Sequence, residues 1–315
     1  MLLSRVAADL FWLARYVERA ENTARLLDVA SRLSSLPSTY GGGTTNEWQS
    51  AVLATGDYGL FEERYGEPSR RNVIHFLAFS PDNPSSISSC LDHARRSARS
   101  VRTAITREMW EAINDAWLEL RRTSADNMSP RQLGEFLAFV KEAGLRFDGA
   151  AHRTMLRNDA HCFFRLGIFI ERGDATARIL DVKYHVLLPA GDAVGGGLDY
   201  FQWSSILRAA SALTAYQWVF RDALRPWRVA ELLTLRKELP RSIACCAENT
   251  VRYLDQIAND YGRQGPAQRA ARAYHAGLVN TEIDAVYREG LHEFLQRAIA
   301  QNNSLSSTIE AQYLR

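Results

Sequence analysis

Lysine is almost missing from this chain: Lys141, Lys183 and Lys237 are the three present, so arginine supplies nearly all of the 38 basic residues in 315. Cysteine is scarce too. Cys90, Cys162, Cys245 and Cys246 show no CxxC spacing and no zinc-like companions, which argues against a zinc module, and the adjacent pair does not easily bridge to itself. Free thiols fit a reducing compartment, so a cytoplasmic location is expected. No stretch approaches the roughly 18 consecutive apolar residues a spanning helix needs. The N-terminal run carries Arg5, Asp9 and Arg15 where a signal peptide would need an apolar core. Neither sign of charge is in excess: 36 acidic residues offset the 38 basic ones, and a net charge of +2 gives no strong field for duplex nucleic acid or an anionic bilayer. The abundant guanidinium forks suit buried pairs with carboxylates, or a clamp on an anionic ligand.

Core material is ample, at 46% hydrophobic residues, for one large domain or two small ones. An internal repeat decides between these. ERAENTARLLDV at Glu18–Val29 returns as ERGDATARILDV at Glu171–Val182, identical at eight of twelve positions and offset by 153. The glycines 41–43 return at 195–197, Trp48 returns as Trp203, and residues 73–90 align with 229–246 through Pro84/Pro240, Ser86/Ser242, Ile87/Ile243 and Cys90/Cys246. The expected organisation is therefore two helical repeats, 1–150 and 151–315, of a duplicated, all-α, multi-helix bundle, packed about a pseudo-twofold axis or as two adjacent bundles. Two units of about 155 residues are a duplication, not a solenoid of short repeats.

Apolar residues at steps of three and four run through Val6, Leu10, Leu13, Val17, Ala20, Ala24 and Leu27, and again from Cys162 to Leu180, which predicts two long helices. Ser4 is the expected cap of the first, and the second is expected over about 151–186. Further helices are predicted at 48–58, 70–79, 85–120, 130–144, 201–224, 227–235, 240–260, 266–277 and 282–302, with a polar tail from Gln301 that is expected to be frayed or partner-dependent. The glycine-rich segments 36–45 and 189–197 read as connections, or as lids or anion nests; neither has a phosphate-loop pattern. Trp48 and Trp203, like the Trp110 and Trp117 pair, read as core aromatics before ligand-stacking ones.

The chemistry-bearing feature is a charged stripe inside the repeat. Glu18, Glu21, Arg25 and Asp28 share a helix face, and Glu171, Asp174, Arg178 and Asp181 repeat it. At about 100° per residue this stripe lies beside the apolar face, so it borders the core. Small residues at Ala20 and Gly173 would let the two helices approach and join their stripes in a buried ion-pair network. The same carboxylates could instead serve as general acid or base groups, or as ligands of a metal such as magnesium. A di-iron site is not expected, because Glu-x-x-His pairs are missing from the stripes, and no nucleophile motif occurs. No metal site and no cofactor are predicted for this chain.

The two ER-containing segments, with FWLARYVERAE from Phe11, closely resemble the bacterial alpha-E domain family, and the likeness spans the chain. The resemblance implies an all-helical protein working beside a circularly permuted ATP-grasp ligase and a transglutaminase-like peptidase, with ATP and Mg held by the ligase. Its charged signature falls on Arg15, Glu18, Arg19, Glu21, Arg25 and Asp28, with Ala14 where glycine is expected. In the second copy, with Glu171, Arg172, Asp174, Arg178 and Asp181, Ile168 and Phe169 replace Arg15 and Tyr16, and Asp174 shortens the acid matched to Glu21. Two ligand sites built this way would be unequal. The expected function is a soluble accessory or scaffold protein in peptide or amide synthesis. The alternatives are an enzyme with a carboxylate and arginine site between the repeats, or a structural homo-oligomer.

Overall fold

A computed structural model describes residues 2–35, 46–123, 128–185 and 196–315. Within them the chain is all helix, with no strand. The order is α1 (Ser4–Leu33), α2 (Glu47–Thr55), α3 (Tyr58–Tyr65), α4 (Arg70–Ile74) continued by a π turn over His75–Phe79, α5 (Ile87–Ser100), α6 (Arg107–Leu120) and α7 (Pro130–Thr154). There follow α8 (Asp159–His185), α9 (Gly197–Ala209), α10 (Leu213–Phe220), α11 (Pro226–Thr234), α12 (Ile243–Tyr261), α13 (Pro266–Val279), α14 (Ile283–Glu289) and α15 (Leu291–Tyr313). The segments 36–45 and 189–195, read as connections or lids, lie outside the described residues.

Local chemistry sets most of the helix starts. Asn46, Ser69, Ser86, Thr106, Ser129 and Ser242 each accept a backbone N–H with the side chain at an N-terminus, and Ser129 with Gln132 completes a capping box. Pro130, Pro226 and Pro266 occupy first-turn positions where a missing N–H costs nothing. Ser4 does not cap α1: Leu3 stands at the cap position with no side-chain bond.

The two longest early helices, α1 and α8, pack against each other at the centre, and nearly every other layer leans on one of them. α1 is flanked by α2, α5 and α7, and α8 by α9, α12 and α15; α2 also reaches α8, and α9 reaches α1. Three apolar clusters fill the space. One joins α1 to α2–α7, one joins the end of α1 to α8–α12 and α14–α15, and one seats Ala7 and Phe11 among residues of α8, α12, α13 and α15.

Several expected boundaries differ from the structure. The helix expected to end near Gly144 runs on to Thr154, so residue 150 lies inside α7. Gly144 is buried where a Cβ would strike the Glu21 side chain, so it permits a close approach instead of ending the helix. The span 85–120 is two helices, because Thr106 caps a new one. The tail is ordered helix, with Asn302, Leu305, Ser306, Ile309 and Tyr313 buried.

Trp48 and Trp203 are core residues, at 5% and 4% exposed. Trp110 and Trp117 instead share the Arg95 guanidinium, whose carbon lies 5.7 and 4.2 Å from their rings. Gly149, exposed in α7, would place a Cβ in open space. Gly149→Ala should therefore raise stability by about 0.5–1 kcal/mol through helix propensity, read as a higher urea midpoint at unchanged m-value.

Candidate functional site

α1 and α8 bring the charged stripes together and bury them. Arg19 donates from Nε to Glu171 Oε1 at 2.6 Å and from Nη2 to Oε2 at 3.0 Å, and Arg15 Nε adds a bond to Oε2 at 2.8 Å. In the opposite sense Arg172 donates from Nε to Glu18 Oε1 at 3.0 Å and from Nη2 to Oε2 at 2.9 Å. Each Glu-Arg dipeptide thus lends its glutamate to the arginine of the other helix. Both exchanges are two-pronged, the strongest geometry available to a guanidinium and a carboxylate.

One turn on, the pattern crosses over again. Arg25 turns back to Glu21 and also donates to the Ala209 carbonyl and, at 2.8 Å, to Ser211 Oγ. Arg178 turns back to Asp174 at 2.6 Å and donates to the carbonyls of Ala54 and Thr55 at 3.0 and 2.8 Å. Those carbonyls close α9 and α2, where unpaired C=O groups and the negative helix end favour a cation. The stripe ends differently on each side. Asp28 accepts from Arg32 and Lys141, whereas Asp181 meets His292 at 2.6 Å and accepts from Gln296 at 2.9 Å, with His185 at 3.7 Å.

Burial alone would push the carboxyls of Glu18 and Glu171 up. Arg172 and Arg241 outweigh it at Glu18, and Arg19 and Arg15 at Glu171, holding both down at about 2. Burial lifts the matched thiols Cys90 and Cys246 to about 12, which makes them inert as nucleophiles. Among the described residues no group of three His, Cys, Asp or Glu side chains is placed to hold a metal ion. No described helix is long and apolar enough to cross a membrane.

Ten of the eleven residues of the predicted stripe therefore take part in ion pairs, and the eleventh, Asp181, is held by hydrogen bonds to His292 and Gln296, but the close approach does not fall where it was expected. A Cβ on Gly173 would meet Cys246 of α12; the tight contact between α1 and α8 is at Gly167, against Phe11 and Ala14. Arg241 lies outside the charged stripe of the sequence, although it donates to Glu18 at 2.9 Å and to Glu21. Its signal lay in a difference: alignment of 73–90 with 229–246 sets Arg241 against Ser85.

An all-α bundle built on two central helices that exchange Glu-Arg pairs is the class of protein these observations define. The chain belongs to the Alpha-E family, described as "a predicted alpha-helical domain with a conserved ER motif", which matches residues 2–314. An uncharacterized protein of Mycobacterium bovis is 26% identical over 184 residues, 54% of this chain and 21% of its own length. An uncharacterized protein of Mycobacterium tuberculosis strain H37Rv is 25% identical over the same length and shares. The chain thus spans about a fifth of the length of these relatives. No solved structure matches it.

Proposed function

We propose that this protein is an accessory or scaffold protein that acts with a circularly permuted ATP-grasp ligase, and with a transglutaminase-like peptidase, in making or modifying a peptide-like product. One observation carries the non-catalytic part of this reading. The glutamates and arginines of both ER pairs are consumed by each other, and the carboxyls are held ionised far below neutral pH, which leaves neither suited to exchange a proton during turnover. That is a brace. The occurrence of the matching segment inside much longer chains fits a module that works alongside other domains. The choice of ligase rests on the family resemblance.

The finer architecture belongs to the same proposal. The matched bonds of Arg19 to Glu171 and of Arg172 to Glu18, of Arg25 to the Ala209 carbonyl and of Arg178 to the Ala54 carbonyl, and of the Thr23 hydroxyl to the Ser85 carbonyl and the Thr176 hydroxyl to the Arg241 carbonyl, support a duplicated bundle with a pseudo-twofold axis between α1 and α8. The test is co-purification of the full chain with a circularly permuted ATP-grasp protein of the same organism, at low salt, followed by an assay of amide formation. A stable complex whose ATP-dependent output rises when this protein is added is the expected result. Failure to associate, with no change in ligase output, would overturn the proposal.

A further inference from the structure

The two ends of the brace are filled differently. At one end Arg241, the residue before the Ser242 cap of α12, lays its guanidinium against Glu18 and Glu21, with Asn22 Oδ1 at 3.4 Å. At the other end the residue before the Ser86 cap of α5 is Ser85, which supplies no cation. A cavity of about 220 Å³ opens there, lined by Arg19, Asn22, Asp57, Ser85, Glu171 and Asp174 among others. Asp174 is also one methylene shorter than its counterpart Glu21, which widens the space.

Two residues that line this cavity each carry a buried polar atom without a partner: Asp174 Oδ1, an acceptor, and Nδ2, a donor, of Asn22, a residue only 5% exposed. Such groups are costly unless something pairs them. Charge points the same way. At the filled end Glu18 takes Arg172 and Arg241, and Glu21 takes Arg25 and Arg241. At the open end Glu171 likewise takes two guanidiniums, Arg19 and Arg15, whereas Asp174, the counterpart of Glu21, takes Arg178 alone, so the cation that has no counterpart is the one that would sit beside Asp174.

We infer that the cavity beside Asp174 and Asn22 binds a guanidinium group, brought by a free arginine-like molecule or by an arginine side chain of a peptide, in the place that Arg241 fills at the other end. Asp174 Oδ1 accepts from the guanidinium, while Asn22 Nδ2 donates to a carbonyl or carboxylate further along the ligand. The volume is below the roughly 300 Å³ at which drug-sized pockets begin, which suits a head group on a short chain. Exposed Asn303 on the cavity wall gives the ligand a way in. This site stands whether or not the partner is a ligase.

Calorimetric titration of the full chain with agmatine, L-arginine and the tripeptide Gly-Arg-Gly, with n-butylamine as the ammonium comparison, tests the assignment. Saturable one-to-one binding of at least one guanidinium probe is expected, with butylamine weaker. A preference for free arginine identifies a small-molecule ligand, and a preference for the tripeptide identifies a peptide; either supports the site. Ser85→Arg, which supplies the missing side chain in place, should weaken binding by about tenfold or more with an unchanged helical circular dichroism spectrum. Asp57→Asn is the second variant. It removes an acid from the wall without touching the Glu-Arg exchanges, and a loss of roughly threefold or more is expected. The inference is overturned by the absence of saturable binding for all three guanidinium probes, by butylamine binding as tightly as agmatine, or by both variants binding like the parent protein.

Discussion

Glu18→Ala should cost about 3–5 kcal/mol of folding stability, because it strands charges that were buried only in company. Arg172, 9% exposed, would lose both its hydrogen bonds and be left with Asp148 at 3.7 Å, and Arg241 would keep Glu21 and a long contact to Asn22. The penalty is the desolvated guanidinium left behind, not the worth of the pair. A paired change makes the distinction: Glu18→Leu with Arg172→Met should cost much less than the two single changes added together, since an apolar pair leaves less charge unmatched. Urea unfolding of the single and double variants measures this directly, and additive losses would show that the exchange is not a coupled unit.

The same pairs set an acid limit. Both carboxyls have folded values of about 2, below their usual 4.5, so their contribution is complete above pH 4.5 and is lost as the pH falls from there toward 2. Each is worth on the order of 3 kcal/mol. A stability profile over that window should be steep in the parent protein and visibly shallower in Glu171→Gln.

The long helices and the stripe were legible in the sequence because both follow one period, and a doubled pattern fixes which residues share a face. The helix break at 155–158 was hidden by that same periodicity, since Ala151 and Met155 continue the apolar rhythm. What ends the rhythm is the Asn158 side chain, which accepts the His161 N–H at 3.3 Å in a cap arrangement. The partners of Asp181 could not be read, because His292 lies 111 residues away on α15, a helix the repeat pattern did not define. Arg241 was visible only as a mismatch between aligned segments. Identities marked the shared brace, whereas the single difference at Ser85 marked the place where the two ends part company.

Gly167→Ala should be the most damaging of the small substitutions, opposite in sign to Gly149→Ala in the neighbouring helix. A Cβ at Gly167 would fall inside the contact distance of the Phe11 carbonyl oxygen and 3.0 Å from Ala14 Cβ. A flexible side chain could move aside, but a helix backbone cannot without taking its neighbours along. Alanine gains about 1 kcal/mol of helix propensity over glycine, while forced overpacking costs typically 1–3 kcal/mol and occasionally more. Because the obstacle is backbone, the upper part of that range applies, and a net loss of about 2 kcal/mol is expected in urea unfolding. Gly167 sits one turn before Glu171, so prying the helices apart would also lengthen the bonds from Arg15 and Arg19 to that carboxylate. Ala14→Gly on top of Gly167→Ala should restore only a minor part of the loss, since it clears the methyl contact and leaves the Phe11 carbonyl in the way. Full rescue would mean that side chains, not backbone, limit the approach. Ala14 and Gly167 occupy matching places in the two repeats, so a glycine on one helix is enough to let the pair cross closely, and alanine can stand on the other.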